Sequence, residues 1–250
     1  MNNSPKLLVF SGAGLSADSG ISTFRDPDGV WQKYDVDEVC HISTWKKNYR
    51  EVHDFYGDRR ENLGLVTPNK MHHVLANLQQ QYGSDVVELW TQNVDDLLEQ
   101  AGAGEVKHIH GFLTEMICET CGHIWNVGYV NNVNHSCEVC YHNIIKPNVV
   151  FFGQLAPLYT PLIVAFRDAM QDHRNTILVI GTSGVVVPLK WIIGDRPNKN
   201  EAFKILCNKE TIDVNLSIFD MCFIKPAAVA SWDLSRALTD RLEGTLEKLI

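Results

Sequence analysis

Five short apolar runs recur along the chain: Leu7–Phe10, Val86–Trp90, Val149–Phe152, Ile177–Ile180 and Phe203–Cys207. Several are rich in β-branched side chains and apolar throughout, the pattern of strands buried on both faces. Ile218–Ile224, interrupted by Asp220, is a further candidate. Helix-length stretches lie between them at Asn69–Gln80, Val94–Ala101, Pro161–Gln171, Pro188–Ile193 and Leu238–Leu249. Strand alternating with helix predicts an α/β fold, a parallel sheet with helices on both faces. Two regions break the alternation. Residues 27–66 hold no strand-like run and read as a helical insertion, and residues 116–145 hold four cysteines and few aliphatic side chains. The expected division is a sheet domain from residues 1–26, 67–115 and 146–250, with 27–66 and 116–145 forming a small second lobe.

Composition narrows the classes. Of 250 residues, 45% are hydrophobic and 21% charged, which is ordinary for a globular chain and excludes a disordered or fibrous one. The 30 acidic and 22 basic residues give a formal charge of −8, which argues against a nucleic-acid coat or an anionic membrane surface. The longest uncharged window, between Lys146 and Arg167, contains Pro147, Asn148, Gly153, Pro157 and Pro161, too many breakers for a lipid-spanning helix. The apolar stretch near the N-terminus is too short for a signal h-region. Seven cysteines, an odd number, fit reduced thiols and metal ligation better than a secreted disulfide framework. The expectation is a cytoplasmic monomer with no nucleic-acid or membrane partner.

Candidate chemistry sits at strand ends. The first strand leads into Gly12-Ala13-Gly14-Leu15-Ser16-Ala17, a G-x-G-x-x-A turn where nucleotide folds place a phosphate loop. The acidic residue that such folds use about 20 residues later has no strand to carry it here, although Asp35, Asp37 and Glu38 fall near that distance. Strand Val86–Trp90 ends in Thr91-Gln92-Asn93-Val94-Asp95, and Ile177–Ile180 ends in Gly181-Thr182-Ser183-Gly184. Phe203–Cys207 ends in Asn208, suited to a ribose hydroxyl. His108 and His110, two apart, share one face of an extended segment, and either can act as a base near neutral pH. Cys118-x-x-Cys121 and Cys137-x-x-Cys140 are two thiolate knuckles with zinc-ribbon spacing. Four protein ligands leave no open position, so the metal is expected to be structural. A pair of redox CxxC motifs, or a nearby histidine (His123, His135 or His142) replacing one thiolate, are the other readings.

Taken in order, these motifs resemble the sirtuins. The resemblance rests on Gly12 to Ile21, Thr23-Phe24-Arg25, Thr91 to Asp95, His110-Gly111, both CxxC pairs, Pro147 to Gly153, Gly181-Thr182-Ser183 and Asn208. It implies a Rossmann-like domain with a small lobe made of a helical module and a zinc module, and an NAD-dependent protein-lysine deacylase. By resemblance, Gly12, Ala13, Gly14 and Ala17 lie along the pyrophosphate, with Phe24 and Arg25 in the cofactor loop. Gln92, Asn93 and Asp95 line the nicotinamide-side pocket, and Asn93 with His110 is catalytic. Gly181, Thr182, Ser183, Asn208 and a backbone contact at Ala227 hold the adenosine half. The implied chemistry releases nicotinamide and moves the acyl group from lysine to a ribose hydroxyl that His110 activates. Val149, Phe151, Phe152 and Gly153 are expected to pair with the substrate peptide as an added strand. Gln154 stands where the family usually has Glu.

Phe55-Tyr56-Gly57-Asp58-Arg59 adds an acyl preference. Tyr56 and Arg59 are three apart, so on a helix they share a face. A guanidinium and a phenol in one pocket would grip a carboxylate. The pair resembles that of class III sirtuins, which implies removal of succinyl, malonyl or glutaryl groups, with acetyl also accepted. An NAD hydrolase or ADP-ribosyltransferase on the same fold, and a zinc-module binding protein with an unused nucleotide site, are the alternatives.

Overall fold

The computed structural model describes residues 5–22, 34–131, 136–194, 196, 198, 200–212 and 214–247. Six strands form the main sheet: β1 (Leu7–Ser11), β2 (Val87–Thr91), β3 (Val106–His108), β7 (Thr176–Ile180), β8 (Phe203–Asn208) and β9 (Met221–Ile224). They lie in the order β3-β2-β1-β7-β8-β9, and each neighbouring pair is parallel. Alternate residues of the central strand feed two cores. Leu7 and Val9 pack with α3 (Lys70–Tyr82) and α7 (Ala227–Leu242), whereas Leu8 and Phe10 pack with α5 (Tyr159–Met170) and α6 (Leu189–Ile193). The chain runs outward from β1 in both directions, so the carboxyl ends of β1 and β7 bracket the crevice where such sheets take ligands.

A second sheet is antiparallel, in the order β5-β4-β6: β4 (Gly111–Cys118), β5 (Ile124–Asn126) and β6 (Ile145–Val149). It takes in residues on both sides of the span expected for the metal module. In the helical insertion, α1 (Val36–Val39) is followed by α2 (Tyr49–Leu63). Val52, Phe55, Tyr56 and Leu63 of α2 form a separate core with Trp45, Leu113, Val149 and Phe151, which fixes this insertion to the antiparallel sheet.

Three expectations are corrected. The run Val149–Phe152 is not a strand of the parallel sheet. The ladder is Ile145–Val149, antiparallel to β4, and Lys146 and Pro147 break the apolar run that would have revealed it. The last helix is Ala227–Leu242, not Leu238–Leu249, because Ala230, Leu234, Ala237 and Leu238 already repeat at helical spacing. The stretch Val94–Ala101 yields only the short α4, Leu97–Gln100, since Asn93 and Asp95 turn their polar groups toward the crevice. Among the described residues, no helix is long and apolar enough to cross a membrane.

Candidate active site at the head of the parallel sheet

Two turns meet at the carboxyl ends of β1 and β7. The Gly14 amide donates to the Gly181 carbonyl at 2.8 Å, and the Gly12 amide to the Ile180 carbonyl at 3.0 Å. A Cβ on Gly181, whose φ is +63°, would sit 2.2 Å from the Leu15 nitrogen, and one on Gly14 would sit 2.8 Å from the Gly181 Cα. The glycines are therefore required by the approach of the two turns to each other, before any ligand is considered. Ala13 is exposed and Ala17 half-buried on the outer side of this turn. Gln92, just past β2, ties that strand to the same crevice, with Nε2 donating to Thr182 Oγ1 at 2.8 Å. Ser183 is half-buried beside Thr182. At the end of β8 the Asn208 amide donates to the Glu210 carbonyl at 2.9 Å, leaving its Oδ1 as the group able to meet a hydroxyl. Asp18, which sequence reasoning missed, accepts the Ala228 amide at 2.9 Å and links the first turn to the start of α7 beside Ala227. Phe24 and Arg25 lie outside the described residues.

Below the turns is a buried polar cluster that motif reading caught only in part. Ser16 Oγ donates to Asp95 Oδ2 at 2.9 Å and accepts from Asn93 Nδ2 at 3.1 Å. His72 Nε2 lies 3.3 Å from the same oxygen. The Asn69 amide donates to His72 Nδ1 at 3.1 Å, so the ring proton sits on Nε2 and points at Ser16. Burial drives the His72 pKa down to about 4, keeping the ring neutral. Burial also lifts Asp95 to about 6, against the Ser16 hydroxyl and the Leu97 amide that favour its charge. Ser16 and His72 were legible only as small and polar residues. The one available signal was Asn69 and His72 at capping-box spacing, and that box is present at the start of α3.

The two histidines have different roles. His108 donates from Nδ1 to the Asn93 carbonyl at 2.8 Å and from Nε2 to Glu99 at 2.8 Å, so both nitrogens carry protons. Burial opposes that charge, but the Glu99 carboxylate and the Asn93 carbonyl leave its pKa raised. It is a structural cation. His110 makes one such bond, from Nδ1 to the Gln92 carbonyl at 3.0 Å. That acceptor fixes the tautomer and leaves the Nε2 lone pair as the basic site. Burial lowers its pKa, only partly offset by the Gln92 bond, so the ring is a neutral base at physiological pH.

The residues beyond His110 lead to Tyr56 and Arg59. Val150 donates to the His110 carbonyl at 2.8 Å, Phe152 donates to the Cys40 carbonyl at 2.7 Å, and Ile42 donates to the Phe152 carbonyl at 3.0 Å. One edge of the 149–153 segment is thus already paired. On the other, Gln154 Oε1 accepts the Phe151 amide at 3.2 Å, a role a carboxamide fills as well as a carboxylate. Val149 and Phe151 are buried, while Phe152 and Gly153 are exposed. The buried Lys146 ammonium donates to the Val149 carbonyl at 2.8 Å and sits 4.5 Å from the Phe151 ring. The other face of Phe151's neighbourhood is Tyr56, stacked at 5.7 Å and 19°. Tyr56 is buried on α2, and Arg59 is half-buried one turn on, its guanidinium 4.9 Å from the Phe55 ring. Burial lowers the Arg59 pKa, and Tyr56 and Cys40 partly restore it, so the three groups share one field.

The sulfurs of Cys118, Cys121, Cys137 and Cys140 lie within 4.8 Å of one another, and no cysteine is in a disulfide. Cys118 and Cys140 are 3.5 Å apart and Cys121 and Cys137 3.7 Å. A zinc tetrahedron with Zn–S near 2.3 Å sets its sulfurs about 3.8 Å apart, so the quartet fits zinc without rearrangement. His123 instead meets Glu138 at 3.1 Å, and His135 lies outside the described residues.

Known proteins resemble this chain in sequence and in fold. The Sir2 family model matches residues 12–188. An NAD-dependent protein deacylase of Helicobacter hepaticus is 41% identical over 250 residues, spanning 94% of this chain and 97% of that one. A solved variant of a Sir2 homologue in complex with ADP ribose superposes with a TM-score of 0.80 at 31% identity, covering 98% of this chain and 96% of the other. A Sir2 homologue–NAD complex does so with a TM-score of 0.78 at 31% identity, covering 96% and 91%.

Proposed function

The chain belongs to the Sir2 family and is an NAD-dependent protein deacylase, and from that premise we propose that it acts on lysines carrying acidic acyl groups, succinyl, malonyl and glutaryl, with acetyl accepted as well. The observation that carries the acyl preference is the Tyr56–Arg59 pair, a buried phenol and a guanidinium within one field on one face of α2. In an apolar pocket a carboxylate meeting this pair gains charge-assisted hydrogen bonds that an acetyl methyl cannot make.

On this reading each residue has a part. Gly12 and Gly14, whose amides are spent on the Ile180 and Gly181 carbonyls, would let the pyrophosphate approach the backbone along Ala13 and Ala17, and Gly181, Thr182, Ser183, Asn208 and Ala227 would hold the adenosine half. Gln92, Asn93 and Asp95 would line the nicotinamide-side pocket. NAD, when bound, supplies an electrophilic ribose carbon with nicotinamide as its leaving group, and a ribose hydroxyl that accepts the acyl group. His110 would take the proton from that hydroxyl on Nε2, because Nδ1 is committed to the Gln92 carbonyl. The Ser16–Asn93–Asp95 cluster would offer one buried negative charge to positive charge developing on a bound cofactor. The segment from Val149 to Gly153 would take the peptide on the edge not used by Cys40 and Ile42, the peptide replacing Gln154 at Phe151. The four cysteines would hold zinc as a structural ion.

Incubation of acetyl-, malonyl- and succinyl-lysine peptides with NAD, read by mass spectrometry, tests the reading. All three should lose their acyl groups, and Arg59→Met should reduce desuccinylation at least tenfold while sparing most deacetylation. Equal losses on acetyl and succinyl peptides would reject the carboxylate role.

A further inference from the structure

Cys40 has no assigned part in the site, yet it touches both halves of the substrate region. Its carbonyl accepts the Phe152 amide of the peptide-facing segment, and its sulfur accepts the Tyr56 hydroxyl at 3.4 Å. It is only 4% exposed. The Tyr56 ring cannot swing away, because it is stacked on Phe151 and lies edge-on to Phe55 at 4.9 Å and 86°. Its hydroxyl can only rotate about the C–O bond. Burial holds the phenol protonated, so this hydrogen must be given to some acceptor. A thiol sulfur is a weak one, and a carboxylate is a strong one.

We propose that Cys40 is a specificity-determining residue, whose sulfur is the resting acceptor of the Tyr56 hydroxyl and is exchanged for the carboxylate of an acidic acyl group when one enters. This rests on the acid-acyl reading of Tyr56 and Arg59. An acetyl group brings no carboxylate, so the Tyr56–Cys40 bond survives acetyl-lysine binding. A succinyl group must break it. The strength of the resting bond therefore sets the ratio of the two activities and leaves the chemical step alone.

Two substitutions shift that ratio in opposite directions. Cys40→Ala removes the acceptor and should raise the succinyl-to-acetyl ratio of kcat/KM by about 2- to 10-fold, the range of one net hydrogen bond. Cys40→Ser installs a stronger oxygen acceptor and should lower it by a similar factor. The change should appear mainly in the KM for succinyl peptide. In a Tyr56→Phe background neither substitution should move the ratio, because the hydroxyl in competition is gone. The alanine and serine variants shifting the ratio in the same direction, or by equal amounts with and without the hydroxyl, would overturn the proposal. If the alanine variant melts early, the serine variant and its Tyr56→Phe partner carry the comparison alone. Failure of the acid-acyl reading has a different signature: Arg59→Met then loses acetyl and succinyl turnover equally. Selective loss in Arg59→Met with no Cys40 effect sinks this proposal only.

Discussion

Asp95→Asn is expected to make the protein more stable and inactive. The carboxyl is buried, and burial lifts its pKa from 3.8 to about 6 despite the Ser16 hydroxyl and the Leu97 amide. At about 1.36 kcal/mol per pKa unit, holding that charge at neutral pH costs about 3 kcal/mol. Asparagine removes the charge but has one acceptor oxygen where Asp95 uses two, a loss of about 1 kcal/mol. The net gain is about 2 kcal/mol at neutral pH. The sign follows from proton binding. The folded protein holds the Asp95 proton more tightly than the unfolded chain, so between pH 3.8 and about 6 stability falls as pH rises. The variant lacks this fall. Urea unfolding of the two proteins should give a stability difference that grows across that window and is constant above it. A variant less stable at neutral pH, or a difference flat in pH, would refute the account. Loss of turnover in the stabilised variant would mark the charge as kept for chemistry, the pattern of functional sites.

Because burial depresses His110, the acid limb of kcat/KM should have its midpoint below 6.5, and His110→Gln should stop turnover with the melting temperature within a few degrees of wild type. A limb above 6.5 would assign it to another group. Among the described residues, the buried core around the cysteine quartet is Met116, Cys118, Cys137 and Ile145, so chelation should melt this sheet. Loss of even about 3 kcal/mol lowers Tm by about 6–12 °C, and an unchanged melt would reject a structural metal. Lys146 is depressed to about 8 by burial, so its charge weakens the fold below that pH and the penalty fades as pH rises from 8 toward 10.5. Lys146→Met should be most stabilising relative to wild type below pH 8, lose that advantage above it, and raise the KM for peptide as the Val149 carbonyl loses its anchor.

The central strands were legible because burial on both faces writes an unbroken apolar run, and the metal quartet because its spacing is its geometry. The head-of-sheet motifs were legible for a similar reason: local turns dictate local residues. What could not be read was long-range pairing. Ser16 and His72 are 56 positions apart and meet only because α3 packs beside the first turn. The same applies to Cys40 and Tyr56, 16 positions apart, which meet only because α2 packs against the segment before it. Strand β6 was misplaced because its interior position is held by Lys146, whose buried ammonium satisfies itself on carbonyls, which no hydropathy pattern reports. The last helix was displaced because its first turns are built on alanines, too small to stand out against a surface that also carries Trp232.

Strand β3 ends at His108 and β4 begins at Gly111, so the two sheets are joined there by Ile109 and His110 alone. Ile109 is pinned to Thr91 at 2.9 Å, the His110 carbonyl to Val150 at 2.8 Å, and a side chain on Gly111 would sit 2.0 Å from the Asn148 oxygen. This joint has no slack. A change in the angle between the two sheets would therefore reach the His110 ring directly, with no intervening segment to absorb it.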